Sequence, residues 1–337
     1  MKHYLISPNG NFYKANLHMH TTVSDGRMTP EETKRAYVEK GYSIVAFTDH
    51  EIIVKHNELS DDTFLALTSC ELSVTETTPD GAFPYKKTYH LNFLSKDPER
   101  DVFSAFSASH VMSRSREYVT EEMRQYQYPY EYSVECINDI IARCNEEGFL
   151  VTYNHPVWSG QNYLDYADLK GLWGIEVYNT GCAINGYPDT VQPLTDLLRK
   201  GERIVPLATD DAHSLCDCFG GWVMVCADAL EYGAVMEALE KGEMYSSTGP
   251  EIKELSIEDG VLHVVTSEAV KIYFNTECRT QGCVRAEAGK TLCEANFDLN
   301  PYLANVRSPE AAFVRVTVQD ANGNCAWSRA YFSNELK

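Results

Sequence analysis

Six of the ten histidines stand beside carboxylates in short segments that read as strand ends. His18-Met19-His20 is followed by Asp25 in Ser24-Asp25-Gly26. Then come Thr48-Asp49-His50, Cys70-Glu71, Tyr89-His90-Leu91-Asn92, Asn154-His155-Pro156 and Asp210-Asp211-Ala212-His213. The period of two along a strand puts the rings of His18 and His20 on one side. Neutral imidazole and carboxylate suit Zn, Mn or Fe. So many of them in one place would lose hydration and repel protons unless something positive sat among them. Any one of these histidines read alone is an ordinary core or surface residue. The six together predict a site for two or three divalent metal ions (Zn, Mn or Fe).

The elements that must gather these residues alternate in type. Candidate strands are Ala15–His20, Ser43–Thr48, Phe64–Glu71, Thr88–Leu94, Phe149–Asn154, Gly174–Tyr178 and Arg203–Thr209, mostly short, apolar and ending at a polar residue. That is the pattern of buried parallel strands with a site at their C-terminal ends. Thr29-Pro30-Glu31-Glu32 reads as a helix start, and the helix stops at Gly41. Ile137, Ile140, Ile141 and Cys144 give one apolar face to a helix ending at Gly148. Further helices are expected over Thr190–Lys200 and Tyr232–Lys241. The alternation predicts an α/β fold, a parallel sheet or a closed barrel, whose strand ends face one mouth.

Past Ser246 the pattern becomes all-β. Residues Glu254–Val265 alternate around Asp259-Gly260, and Phe313–Val318 alternate before Asn322-Gly323, both hairpin signals. The expected division is a metal-binding α/β domain over 1–246 and a small sandwich-like β domain over 247–337. Residues 74–132 give no clear pattern and read as an insertion capping the site.

The chain has 337 residues, with 29 basic against 49 acidic side chains and a net charge of −20. Such acidity argues against long nucleic acids and anionic membranes, both of which need a basic surface. No run of apolar residues is long enough to span a bilayer, and the first residues do not read as a signal peptide. Eleven scattered cysteines without a close Cys-x-x-Cys pair read as reduced thiols, which predicts a cytoplasmic protein. Nothing in the sequence sets the oligomeric state.

The ordered set His18-x-His20, Asp25, Thr48-Asp49-His50, Glu71, His90, Asn154-His155-Pro156 and Asp211-x-His213 resembles the motif set of the PHP (polymerase and histidinol phosphatase) family. The resemblance implies a distorted (β/α)7 barrel holding two or three metals. It assigns His18, His20, Glu71 and Asp211 to the first and Glu71, His90 and His155 to the second. Asp25, His50 and His213 go to a third. Ile175–Asn179, Glu237–Gly242 and Thr248–Ile252 resemble a branch of carbamate- and amide-hydrolase-like members with a C-terminal β domain.

The expected function is hydrolysis of a small phosphorylated metabolite by metal-bound hydroxide. The alternatives are hydrolysis of an amide, ester or carbamate, and, further off, cleavage of a short oligonucleotide. The leaving oxygen needs a proton or a cation, from the third metal, His213 or Asp49. Asp49 alternatively orients a ligand histidine from behind. Arg114 and Arg116 are candidates for clamping a phosphate, and Trp158 for lining the pocket mouth. The alternative for the arginines is a solvated surface position. His56, His110 and His263 read as structural, and Gly220-Gly221 as a turn. The residues from Ser247 onward hold 9 basic and 12 acidic side chains, so most of the negative charge lies on the hydrolase part. Three divalent cations among Asp25, Glu71 and Asp211 would leave the mouth locally positive within that acidic field.

Overall fold

A computed structural model describes the chain apart from residues 1, 78–85, 188–189, 280–281, 307, 309–310 and 337. A strand β1 (His3–Ile6) precedes seven strands that carry the chemistry-bearing residues. These are β2 (Phe12–Asn16), β3 (Ile44–Phe47), β4 (Leu65–Thr75), β5 (Thr88–Ser95), β6 (Phe149–Tyr153), β7 (Gly174–Asn179) and β8 (Val205–Thr209). They lie in chain order within one large mixed sheet. All seven predicted strands are present. The first ends early, because beyond Asn16 the backbone leaves its ladder. Met19 O then accepts from Thr48 N (2.9 Å), and His20 N donates to Ala212 O (3.1 Å).

The all-parallel expectation is corrected at one strand. β5 runs antiparallel to both β4 and β6, and Thr75 stands opposite Thr88. A parallel return would need a crossover connection, usually a helix. The reversal matters for the site. His90 reaches it from near the start of its strand, opposite Ser73, whereas Glu71 comes from the later part of β4. Past their last ladder residues β2 and β8 also meet. Met19 and Ala212 form a parallel bridge, and Asp211 N donates to His18 O (3.0 Å).

The helices follow the local code. Thr29 caps Pro30–Glu39, accepting from Glu32 N while the Glu32 carboxylate takes the Thr29 N–H, a reciprocal box. The helix Val134–Glu146 buries Ile137, Ile140, Ile141 and Cys144 completely. Each large aliphatic side chain so removed from water contributes about 1.5–3 kcal/mol. Gln192–Arg199 and Tyr232–Lys241 are helical as expected. No helix of the described residues is long and apolar enough to cross a membrane.

The sheet continues past the site. β9 (Trp222–Cys226) pairs with β2 and with β10 (Met244–Ser247), so the expected boundary at 246/247 falls inside a strand. After β10 come β11 (Ile252–Glu258), β12 (Val261–Ala269), β13 (Lys271–Thr276), β14 (Gly282–Arg285), β15 (Leu292–Asp298), β16 (Phe313–Gln319) and β17 (Cys325–Ser328). β10 pairs with β17, which extends the large sheet through β16, β13 and β14. β1, β11, β12 and β15 form a separate antiparallel sheet, and the two sheets share an apolar core of Ile6, Leu255, Val264, Phe274 and Val316. Both predicted hairpins form. Asp259 and Gly260 turn β11 into β12 with φ of 51° and 78°.

Residues 74–132 are only partly an insertion. The first of them complete β4, 78–85 lie outside the described residues, and 88–95 form β5. From residue 96 the chain packs Phe103, Phe106, Val111 and Met123 onto the core, and its turn at 113–118 stands beside the strand ends.

Candidate metal centre

The strand ends bring together all nine residues that the sequence nominated for metal. One donor atom from each of His18, His20, Glu71 and Asp211 lies within 4.8 Å of the others, and so do donors of Glu71, His90 and His155. A third group adds His20 to Asp25, His50 and His213. Glu71 is common to the first two. Its Oε1 is 3.2 Å from His18 Nε2, 3.1 Å from His90 Nδ1 and 3.4 Å from His155 Nε2, while Oε2 is 3.3 Å from His20 Nε2 and from His50 Nδ1. Asp211 Oδ1 stands 3.2 Å from His18 Nε2 and 3.1 Å from His20 Nε2.

These donor atoms crowd together in one place. His18 Nε2 and His20 Nε2 face each other at 3.2 Å. His20 Nδ1, Glu71 Oε2 and His90 Nδ1 are buried without an aligned hydrogen-bond partner, despite the nitrogens and oxygens close by. Buried polar atoms are nearly always paired, so three orphans in one cluster call for a missing partner. Cations supply one, and the imidazole–carboxylate donor set matches divalent metals.

The electrostatics agree. Burial alone would deprotonate His18, His20 and His155, but Asp211, Glu71 and Glu176 reverse this and hold all three above the usual imidazole range, His20 at about 10. Burial would likewise raise Glu71 and Asp211, yet the surrounding imidazoles hold both carboxyls far below theirs. His50, pressed by burial and by His20, falls to about 3. Without cations the chain neutralises its buried carboxylates with imidazolium protons. Divalent metals can take the place of those protons.

Several partners that orient the donors carried no such role in the sequence reading. Glu176, buried in β7, accepts His18 Nδ1–H (2.7 Å) and Thr209 Oγ1–H (2.6 Å) on Oε1. Its Oε2 accepts from His155 N and Asn179 Nδ2, each at 3.0 Å. This fixes the His18 tautomer and leaves Nε2 free to face the cluster. Asn154 Nδ2 donates to Glu71 Oε1 (2.8 Å) and to Asn92 Oδ1 (2.8 Å). The signal for Glu176 was available, namely an acid inside an otherwise apolar strand one period-two step from Gly174. His155 and Asp211 hold left-handed backbone at φ 26° and 50°, conformations that cost non-glycine residues roughly 1–3 kcal/mol each and cluster at functional sites.

Asp49 departs from both of its expected roles. Oδ1 accepts from Thr21 N (2.7 Å), Ser24 N (3.1 Å) and Ser24 Oγ (2.7 Å), and Oδ2 accepts from Thr21 Oγ1 (2.8 Å). At 2% exposure it orients the loop that carries Asp25 rather than a ligand ring, and its acceptor sites are committed. Asp49→Ala leaves two backbone N–H groups and two hydroxyls without their acceptor, at about 1–3 kcal/mol for each group that stays dry. Urea unfolding of the metal-free variant is expected at a clearly lower midpoint. Unchanged stability would remove this role. Gly26 serves the same loop, because a Cβ there would stand 2.3 Å from His20 O.

Arg114 is also corrected as a phosphate clamp, since its Nε and Nη2 donate to the backbone oxygens of Ser24 and Gly26, each at 2.7 Å. Arg116 Nε is turned toward Val111 O (2.8 Å) and the residue does not line the cleft. Trp158 does line it, as expected, standing edge-on to His90 at 5.4 Å. The cleft measures about 310 Å³ and runs past Asp25, His50, His90, Ser113 and Lys86. Lys86 escaped the sequence reading because its neighbourhood showed no pattern. His213 is 38% exposed at the mouth, its Nδ1 3.1 Å from Asp211 O and its Nε2 3.4 Å from Asp25 Oδ1. Of the histidines read as structural, His110 stands against the floor of the cleft, 2.9 Å from Ser73 O and 3.4 Å from Glu51 Oε2. Gly220 and Gly221 form the expected turn, both donating backbone N–H to the buried Asp210 Oδ1.

No family model and no curated protein matches the chain. Among solved structures it is similar to a two-domain protein from Bacteroides vulgatus containing a predicted PHP-like metal-dependent phosphoesterase. That match has 13% identity and a TM-score of 0.45, covering 98% of both chains. It is also similar to a candidate metal-dependent phosphoesterase from Bifidobacterium adolescentis, at 18% identity and a TM-score of 0.37 over 60% of this chain and 88% of that one. A third is an amidohydrolase from Chromobacterium violaceum with bound sulfate and no metal, at 16% identity and a TM-score of 0.36 over 60% and 88%.

Proposed function

We propose that the protein is a metal-dependent hydrolase of small phosphate esters, of the PHP type that its motifs resemble. The observation that carries this is the pair of donor groups sharing Glu71, with His90 of the second group lining a cleft of about 310 Å³. In this reading β2–β8, joined end to end at Met19 and Ala212, are the distorted (β/α)7 barrel. Residues 1–246 make the hydrolase domain and 247–337 the β domain. His18, His20, Glu71 and Asp211 hold one cation; Glu71, His90 and His155 hold a second; Asp25, His50 and His213 hold a third, with His20 nearby.

Divalent cations in such a site lower the pKa of water and draw charge from an anionic ester. The chain does the rest. Glu176 and Asn154 hold His18 and Glu71 in ligating orientation. His213 Nδ1 lies against its own chain at Asp211 O, which leaves Nε2 toward Asp25 and the cation site rather than free as an acid. Trp158 and Met112 wall the cleft and limit water, and Lys86 at its rim attracts an anion. The acidic exterior repels polyanions and leaves small phosphates as the compatible class.

Chelation is expected to abolish release of p-nitrophenol from p-nitrophenyl phosphate, and added Mn or Zn to restore it. A protein that hydrolyses p-nitrophenyl acetate metal-dependently and leaves the phosphate ester intact would replace this reading with attack on carbon.

A further inference from the structure

We propose that Arg114 is the positioning residue for Asp25, so that the segment 113–118 determines whether the third cation is held. This rests on reading Asp25, His50 and His213 as a cation site. Arg114 Nε donates to Ser24 O and Nη2 to Gly26 O, each at 2.7 Å, so one planar guanidinium spans the carbonyls on either side of Asp25. Holding the peptide before Asp25 and the one after Gly26 pins the short loop from which the Asp25 side chain leaves the backbone. Ser115 Oγ adds a longer contact to Val23 O at 3.4 Å. From the interior side Asp49 holds Ser24, so the loop is gripped on two faces.

Asp25 needs that grip more than the other carboxylates. Its side chain is 46% exposed, against 1% for Glu71 and 13% for Asp211. Among the described residues its own oxygens meet Ser24 Oγ at 3.3 Å and imidazoles at 3.4–3.8 Å. Glu71 and Asp211 sit on or beside strands and take no support from residues 113–118. The effect of Arg114 is therefore expected to be largest on the third cation. Met112, Ser113 and Ser115 line the same cleft, so the turn that meets a bound substrate also carries the arginine that aims Asp25.

The test is metal counting on the full chain. Wild type, Arg114→Ala, Arg114→Lys and Arg116→Ala are equilibrated with Mn²⁺ at a series of free concentrations, and bound Mn is measured by mass spectrometry. Wild type and Arg116→Ala are expected to bind three. Arg114→Ala is expected to keep two at unchanged affinity and to bind the third roughly 10–100-fold more weakly, the usual effect of removing a group that orients a ligand. Retention of the first two also reports that the variant is folded. Arg114→Lys is expected to recover only part of the third-site affinity, because an ammonium lacks the planar fork that holds both carbonyls in fixed directions. A third Mn bound by Arg114→Ala as tightly as by wild type overturns the proposal. Wild type binding only two overturns it as well, yet leaves the two-cation hydrolase reading standing; wild type binding none sinks both.

Discussion

Glu71→Ala is expected to lose both buried cations and all phosphatase turnover while remaining folded. No other side chain touches so much of the cluster, since its two oxygens approach five imidazoles at 3.1–3.4 Å. The loss of affinity for each cation it serves is expected to exceed the roughly 10–100-fold that follows removal of a group that only orients a ligand. The strand ladders on both sides of β4 are untouched. Metal content, far-UV circular dichroism and p-nitrophenyl phosphate hydrolysis on the same preparation check the expectation. Near-native metal content or turnover would show that Glu71 is not the shared ligand.

Glu176→Gln is expected to be nearly as damaging, although the substitution preserves shape. Four donors converge on this carboxylate, two on each oxygen: His18 Nδ1 with Thr209 Oγ1, and His155 N with Asn179 Nδ2. An amide must place its NH₂ against one of these pairs, so either orientation sets donor against donor in a buried site. The His18 ring then loses its fixed tautomer. Metal affinity of the first site is expected to fall roughly 10–100-fold, as for other partners that hold a ligating histidine. Isothermal titration of the metal-free protein with Zn or Mn measures this directly. Wild-type affinity in Glu176→Gln would mean that His18 needs no carboxylate behind it.

The two residues differ in how visible they were before folding. Glu71 stands at the end of an apolar run, in order with His18-x-His20 and His90, so residue type and spacing nominate it. Glu176 lies within such a run, where an acid looks like an interruption until β6, β7 and β8 are side by side. Asp49 and Arg114 are visible in the sequence as charges, but their partners are not. Their partners are Thr21, Ser24 and two loop carbonyls, and no local pattern encodes a contact between residue 114 and residues 24 and 26.

The sequence by itself determined the seven strands that carry the donors, four of the helices, two hairpins and the residues to test. Periodicity, capping and donor chemistry are local properties carried by neighbours in the chain. Only the tertiary structure decided the reversed direction of β5, the pairing of β1 with β11, the place of Glu176, and the turn of Arg114 away from the substrate and onto the Asp25 loop. Each of these depends on which distant backbone groups lie within hydrogen-bond reach, and that is set by how the sheets and loops pack.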